Sequence, residues 1–219
     1  MSPLKLYGNI RTTCTRRVLL TAAELGQDLD LITVDIASGE QKKPDYLNNV
    51  HPWGKVPALV DEEANFTMHE SRAIARYLSS IKFPDHGGRT LVPSPTADPK
   101  AYALFEQAAS VETANLDPFL FALVKEKFFV PMFGGTPNDE KITESRNILA
   151  AALDIYDKIL AERMWLAGND FTLVDLFHVP LIELFSSCDE MELINSRPHV
   201  KAWWERIVSR DSFKKVYSA

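Results

Sequence analysis

Apolar and polar positions follow two different rhythms along this chain. Leu4, Leu6 and Tyr7 mark a short strand, residues 18–25 form an apolar stretch of helical length that ends at Gly26, and residues 29–36 read as a second strand. Residues 58–60 and 66–68 predict a strand pair on either side of the acidic turn DEEAN, and residues 70–81 a helix. Strand, helix, strand, hairpin and helix make a small α/β unit. The rhythm then stops. The stretch FPDHGGRTLVPSPTADP carries four prolines and two glycines, which break helix and strand alike, so a linker is expected at 83–98. Beyond it strand signals all but vanish. Ile142, Leu149, Leu153, Tyr156 and Leu160 recur at spacings of seven, four, three and four, the seam of a long amphipathic helix. At Thr172 a capping box is expected, with Asp175 reaching back and Phe171 stapling onto Leu176. Residues 198–217 are again helical. The organisation expected is therefore residues 1–82 as an α/β domain, 83–98 as linker and 99–219 as an all-helical domain.

Composition narrows the class of protein. A chain of 219 residues with 46% apolar residues buries a substantial core and suits two small domains. The formal charge of −6 argues against a general nucleic-acid binder, and no apolar run approaches a signal peptide or a membrane span. Cys14 and Cys188 are too few for a disulfide framework and too far apart for a zinc motif, so they read as reduced thiols of a cytosolic protein. The histidines, at 51, 69, 86, 178 and 199, show no metal-ligand spacing, and no metal is expected.

Candidate chemistry gathers after Tyr7. The stretch YGNIRTTCTRRV ends a strand and opens a helix with Thr12, Thr13 and Cys14, amid Arg11, Arg16 and Arg17. A hydroxyl that donates to a sulfur at a positive helix N-terminus favours the thiolate, the reactive form. The plainer role for Thr12 is that of helix cap. In GKVPAL, Pro57 starts an apolar strand and cannot donate to a ladder, which suits an edge, a special turn or a cis bond; such a bend leaves the backbone of Val56 for an extended peptide. In ESRAI, Glu70 and Ser71 open a helix whose amides suit a carboxylate, while Glu70 suits an ammonium. Each has an ordinary turn or cap reading as well.

In this order the segments YG…TTCTRRV, GEQKKPDYLNNVHPWGKVPAL, ESRAIARYL and ALVKEKFFVPMFG resemble the cytosolic glutathione transferases, and the phi class in particular. The resemblance covers essentially the full length. It implies a thioredoxin-like N-terminal domain followed by an all-helical domain, glutathione as co-substrate, no other cofactor, and a homodimer. It places Thr12 where the phi class has the serine that hydrogen-bonds the glutathione sulfur, with Thr13 as the neighbouring candidate. Gln41 and Lys42 fall where a histidine meets the glycyl carboxylate, and Lys55 where many relatives carry glutamine. Val56 is expected to pair with the cysteinyl backbone beside a cis Pro57, and Glu70 and Ser71 match the γ-glutamyl site. An apolar acceptor site is implied from Ile36, Phe119 and Leu123; helical spacing puts Phe119 and Leu123 on one face and Phe121 on another. Trp53 stands where some relatives plug a neighbouring subunit.

Conjugation of glutathione to a hydrophobic electrophile, or reduction of a peroxide, is the activity expected. A carrier of apolar small molecules on the same scaffold is the alternative, kept open by threonine in place of serine. A thiol–disulfide oxidoreductase based on Cys14 fits less well. Two residues along a helix turn Cys14 about 200° away from Thr12.

Overall fold

The computed structural model describes residues 4–81 and 90–217, and the first part of the expected linker, 83–89, lies outside the described residues. The described chain falls into two compact units: one runs to Thr90 and takes back the segment from Asp211, and the other is Leu91–Arg210.

The first unit is built on four strands, β1 (Lys5–Gly8), β2 (Asp30–Thr33), β3 (Ala58–Asp61) and β4 (Phe66–His69), in the order β2-β1-β3-β4. β1 and β2 run parallel because α1 (Thr13–Glu24) crosses between them, while β3 and β4 form the antiparallel hairpin. Helix α1 ends where the sequence signals it, with Gly26 in the left-handed region at φ 65°. Helix α3 (Ser71–Ser80) packs beside α1, and Leu6, Val18, Leu20, Leu59, Ile74 and Leu78 make the core between helices and sheet. A short 3₁₀ turn (Glu40–Lys42) and α2 (Pro44–Asn49) were not legible in the sequence, because neither carries an apolar period of its own.

The C-terminal boundary corrects the expectation that residues 99–219 form one domain. Helix α11 (Asp211–Tyr217) belongs to the first unit and packs along α1. Buried Glu24 accepts from the Ser212 hydroxyl, Lys215 reaches Asp28 at 3.3 Å, and Arg16 lies over the ring of Tyr217, 4.6 Å from its centroid. The amphipathic face of α11 covers apolar surface of the first unit, which composition alone does not reveal.

The second unit is helical, with no strand among the described residues beyond a single Trp165–Gly168 bridge. Helix α4 (Pro99–Val111) passes through a π-helical turn (Glu112–Leu116) into α5 (Asp117–Val124), and through a second (Lys125–Phe129) into α6 (Val130–Met132). Each widened turn lies just before a proline, Pro118 or Pro131. A proline inside a helix lacks its N–H and crowds the carbonyl four residues back, and a wider turn makes room without ending the helix. Helix α7 (Asp139–Glu162) buries Leu149, Leu153, Tyr156 and Leu160, as the seam requires, whereas Ile142 is only half-buried. Then follow α8 (Leu173–Ile182), the short α9 (Glu192–Asn195) and α10 (Pro198–Val208). The capping box at Thr172 and Asp175 is formed as expected. Phe171 stacks edge-on against Trp165, 5.0 Å between centroids, and Arg210 lies over its face at 4.0 Å.

Candidate active site

The turn from β1 into α1 is held by a compact set of short polar side chains. Thr12 is the N-cap of α1, in extended conformation, and its oxygen accepts the Thr15 amide at 3.4 Å. The same hydroxyl has two acceptors in reach for its one proton, the Asn9 carbonyl at 2.9 Å and Thr15 Oγ1 at 2.7 Å. Asn9 fixes the turn from both ends. Its amide donates to Thr15 Oγ1 at 3.2 Å, its side chain donates to the Val34 carbonyl at 3.1 Å, and its Oδ1 accepts the Arg11 amide at 3.0 Å. Gly8 ends β1 against Thr15, and a Cβ there would lie 2.7 Å from Thr15 Oγ1. Thr13 is the first residue of α1, half-buried, and its hydroxyl bonds to none of the described residues. The half-buried Thr12 oxygen thus sits at the positive end of a twelve-residue helix.

Cys14 points away from this cluster. Its Sγ accepts from the buried Arg17 at 3.6 Å, and Arg17 also donates to Ser71 Oγ at 2.8 Å, so the two thiol and hydroxyl groups flank one guanidinium. Cys188 is buried in the second unit, and burial pushes its thiol up to about 11. Iodoacetamide at pH 8 is therefore expected to modify Cys14 and spare Cys188 in the folded protein. Peptide mass mapping checks this, and an adduct confined to Cys188 would contradict it.

The remaining expected residues line the loops at the same end of the first unit's sheet. Gln41 has a buried Oε1 with no hydrogen-bond partner among the described residues, and its Nε2 makes only a long contact, 3.5 Å, to the Ile36 carbonyl. Lys42 donates to the Trp53 carbonyl at 3.3 Å. Gly54, at φ 58°, lies where a Cβ would come within 2.7 Å of the Gln41 carbonyl, so only glycine lets the two loop arms approach this closely. Lys55 is exposed, and its carbonyl accepts the Tyr46 hydroxyl at 2.8 Å; burial and then the charge of Glu40 push that phenol up to about 12. The Val56–Pro57 bond is cis, and no backbone hydrogen bond engages Val56 among the described residues. Pro57 precedes β3, an interior strand, so the edge-strand option is not taken.

Glu70 holds φ 72° and ψ 107° immediately before α3, with its carboxylate exposed. A left-handed φ is costly for a residue with a side chain, and such conformations concentrate at functional sites. Ser71, by contrast, is buried with its hydroxyl on Arg17; what it offers a ligand is the first amide of α3.

The apolar wall needs correction. Leu123 is fully buried in the helical core with Leu120 and Val124 and lines no accessible surface. Phe119 instead faces a groove of about 360 Å³ within the second unit, together with Pro118, Phe121 and Ala122. Phe121, expected to point elsewhere, lines the same groove and is exposed. Leu123 is lost because α5 turns its Leu120–Leu123–Val124 stripe inward, and an i,i+4 spacing says which residues are neighbours but not which way they face. Ile36 is half-buried in the first unit. The histidines are less scattered than their spacing suggests. His51 and His69 lie ring against ring at 4.6 Å, burial holds His51 below its ordinary value, and His51 Nδ1 accepts the Trp53 amide at 3.3 Å. Among the described residues no three or more histidine, cysteine or acidic side chains are placed to hold a metal.

Two participants escaped sequence reasoning, Asn9 and Thr15. The available signal was positional: Thr15 lies three residues after the N-cap, where capping partners meet, and an asparagine just after a strand is a turn residue.

Comparison with known proteins identifies relatives over nearly the whole chain. Residues 2–80 match the model of the glutathione S-transferase N-terminal domain and residues 120–211 that of the C-terminal domain. The chain is 47% identical to glutathione S-transferase PM239X14 of Arabidopsis thaliana over 93% of its own length and 91% of the relative's. It is 37% identical to glutathione S-transferase F13 of the same plant, over 97% and 94%. Among solved structures, glutathione transferase F7 of Populus trichocarpa superposes with a TM-score of 0.90 at 36% identity, covering 98% of each chain.

Proposed function

Because this chain belongs to the glutathione S-transferase family, with relatives among the plant phi-class enzymes, we propose that the Thr12 hydroxyl draws the glutathione thiol toward its thiolate for attack on an apolar electrophile. The observation that carries the reading is the position of Thr12 Oγ1, at the N-cap of α1. A free thiol with a pKa near ~8.5 is only a few per cent ionised at neutral pH. A donated hydrogen bond at a helix N-terminus stabilises the anion and leaves the neutral thiol nearly untouched, so it lowers the pKa. Turning the proton from Asn9 to an incoming sulfur needs only rotation about the C–O bond, with the oxygen staying in place. Thr13, whose hydroxyl is unengaged, stands beside it as the second donor.

The tripeptide fits the surrounding groups in the same reading. Gln41, Lys42 and Lys55 supply donors and positive charge for the glycyl carboxylate. The unengaged backbone of Val56, beside Pro57, pairs with the cysteinyl unit. The exposed Glu70 carboxylate takes the γ-glutamyl ammonium, and the Ser71 amide its carboxylate. Phe119, on its groove in the second unit, is the residue left to meet an apolar acceptor. The same thiolate attacks the outer oxygen of a hydroperoxide, breaking the O–O bond and releasing the alcohol, and a second glutathione converts the resulting sulfenic acid to the disulfide and water; peroxide reduction therefore belongs to the proposal. Trp53, 68% exposed on its loop, supports a homodimer in which it fills a pocket on a second copy. No described helix is long and apolar enough to cross a membrane; a cytosolic location is part of the same proposal.

The test is an ultraviolet difference titration of bound glutathione. Thiolate absorbance is expected to rise well below the free thiol's pKa, by about two units if the hydrogen bond to the anion is worth roughly 2.7 kcal/mol. A bound thiol that titrates like the free one would defeat the proposal.

A further inference from the structure

The Thr12 hydroxyl cannot serve a sulfur and keep its present bonds. Its single proton is turned toward the Asn9 carbonyl at 2.9 Å and Thr15 Oγ1 at 2.7 Å. Once that proton turns outward, the Thr12 oxygen is left with its lone pairs against the carbonyl, and the Thr15 amide at 3.4 Å is a weak donor. One stronger donor is already in place. Thr15 is fully buried, its oxygen is engaged by the Asn9 amide at 3.2 Å and by Thr12, and its own proton goes to none of the described residues. We infer that Thr15 is a positioning residue for the transfer reaction: on glutathione binding the 2.7 Å contact reverses, and the Thr15 hydroxyl donates to Thr12 while Thr12 donates to the sulfur.

The reversal does two things. It offsets the repulsion between the Thr12 oxygen and the Asn9 carbonyl with a new hydrogen bond that holds the Thr12 oxygen in place. It also polarises Thr12, because a hydroxyl that accepts a hydrogen bond becomes a better donor of its own proton. Gly8 keeps the pair together. A Cβ there would lie 2.7 Å from Thr15 Oγ1 and 2.8 Å from its Cγ2, so Thr15 is seated against bare backbone and its rotamer is fixed by buried surroundings. Threonine at position 12 makes this support matter more, since a β-branched side chain has few rotamers with which to follow a substrate.

This inference rests on the role proposed for Thr12, and the experiment separates the two. The pKa of bound glutathione is measured for the wild type, Thr15→Val, Thr15→Ser and Thr12→Val, with kcat followed from pH 6 to 9. Thr15→Val is expected to raise the bound thiol's pKa by about one unit and lower kcat about tenfold at the acid end. The loss shrinks toward pH 9, glutathione affinity stays within about twofold, and Thr15→Ser restores the wild-type profile. A role confined to packing would lower the melting temperature but leave the thiol's pKa where it was. If Thr15→Val titrates like the wild type while Thr12→Val does not, the inference is overturned and the role of Thr12 stands. If Thr12→Val itself titrates like the wild type, the role of Thr12 falls, and this inference with it. Thr15→Ala, with less bulk to accommodate, carries the same comparison should the valine variant not fold.

Discussion

Thr12→Val is expected to lower kcat/KM for a chlorodinitrobenzene by about 10- to 100-fold at neutral pH, with the affinity for glutathione little changed. Valine keeps the branched shape of threonine and removes the only proton the residue has to give. A hydrogen bond to a charged group is worth about 1.5–3 kcal/mol, and each 1.4 kcal/mol is a factor of ten. The loss falls on the barrier because the bond strengthens as the sulfur becomes an anion; the neutral thiol gains little from it. The same substitution removes the cap of α1, at a cost of about 1 kcal/mol in stability, so activity is read well below the variant's melting temperature. Thr12→Ser keeps the donor and is expected to keep the rate. Steady-state kinetics of the three proteins decide it. Equal rates for threonine and valine would take Thr12 out of the chemistry and turn attention to the unengaged hydroxyl of Thr13.

Asp175→Ala is expected to destabilise the second unit by about 3–5 kcal/mol. The carboxylate is fully buried, and four donors converge on it: the amides of Leu166 and Thr172 at 2.9 and 3.0 Å, Trp203 Nε1 at 2.9 Å and the Thr172 hydroxyl at 3.3 Å. Burial pushes its pKa up, and these donors pull it back toward the charged form. Alanine leaves the two amides and the indole N–H inside the protein without an acceptor, at about 1–3 kcal/mol each and less than additively. It also frees the start of α8 from the tryptophan of α10. At roughly 2–4 °C per kcal/mol for a chain of this size, the melting temperature falls by about 10 °C. Thermal unfolding followed by tryptophan fluorescence is the check, and a fall of less than about 2 °C would show that water takes over the carboxylate's role.

What the sequence made legible tracks how local each signal is. The strands around Leu6 and Leu59, the end of α1 at Gly26 and the box at Thr172 depend on neighbours within a few residues, and all are where the pattern puts them. Helix α2 has one buried residue, Tyr46, and therefore no period to read. The π-helical turns before Pro118 and Pro131 answer a clash that a proline alone does not resolve in favour of bending over stopping. At the candidate site, Thr12, Val56 and Glu70 were approachable through their backbone contexts: a cap, a residue before proline and a helix start. Thr15 and Asn9 had only their positions to mark them, because their roles arise from hydrogen bonds made across a turn. Leu123 was misplaced for a related reason. Helical spacing ranks neighbours on a cylinder, whereas accessibility is decided by what the cylinder lies against.

The return of α11 to α1 sets an order on synthesis. A ribosome makes this chain from its amino end, and domains that are continuous in sequence begin to fold as they emerge. Here the first unit to appear is the last to be completed, because Ser212, Val216 and Tyr217 are the final pieces laid against α1 and leave the ribosome only after all of the second unit. Until then the flank of α1 around Ala22 and Ala23 stays open to chaperones, and a stop codon before Asp211 leaves it open for good.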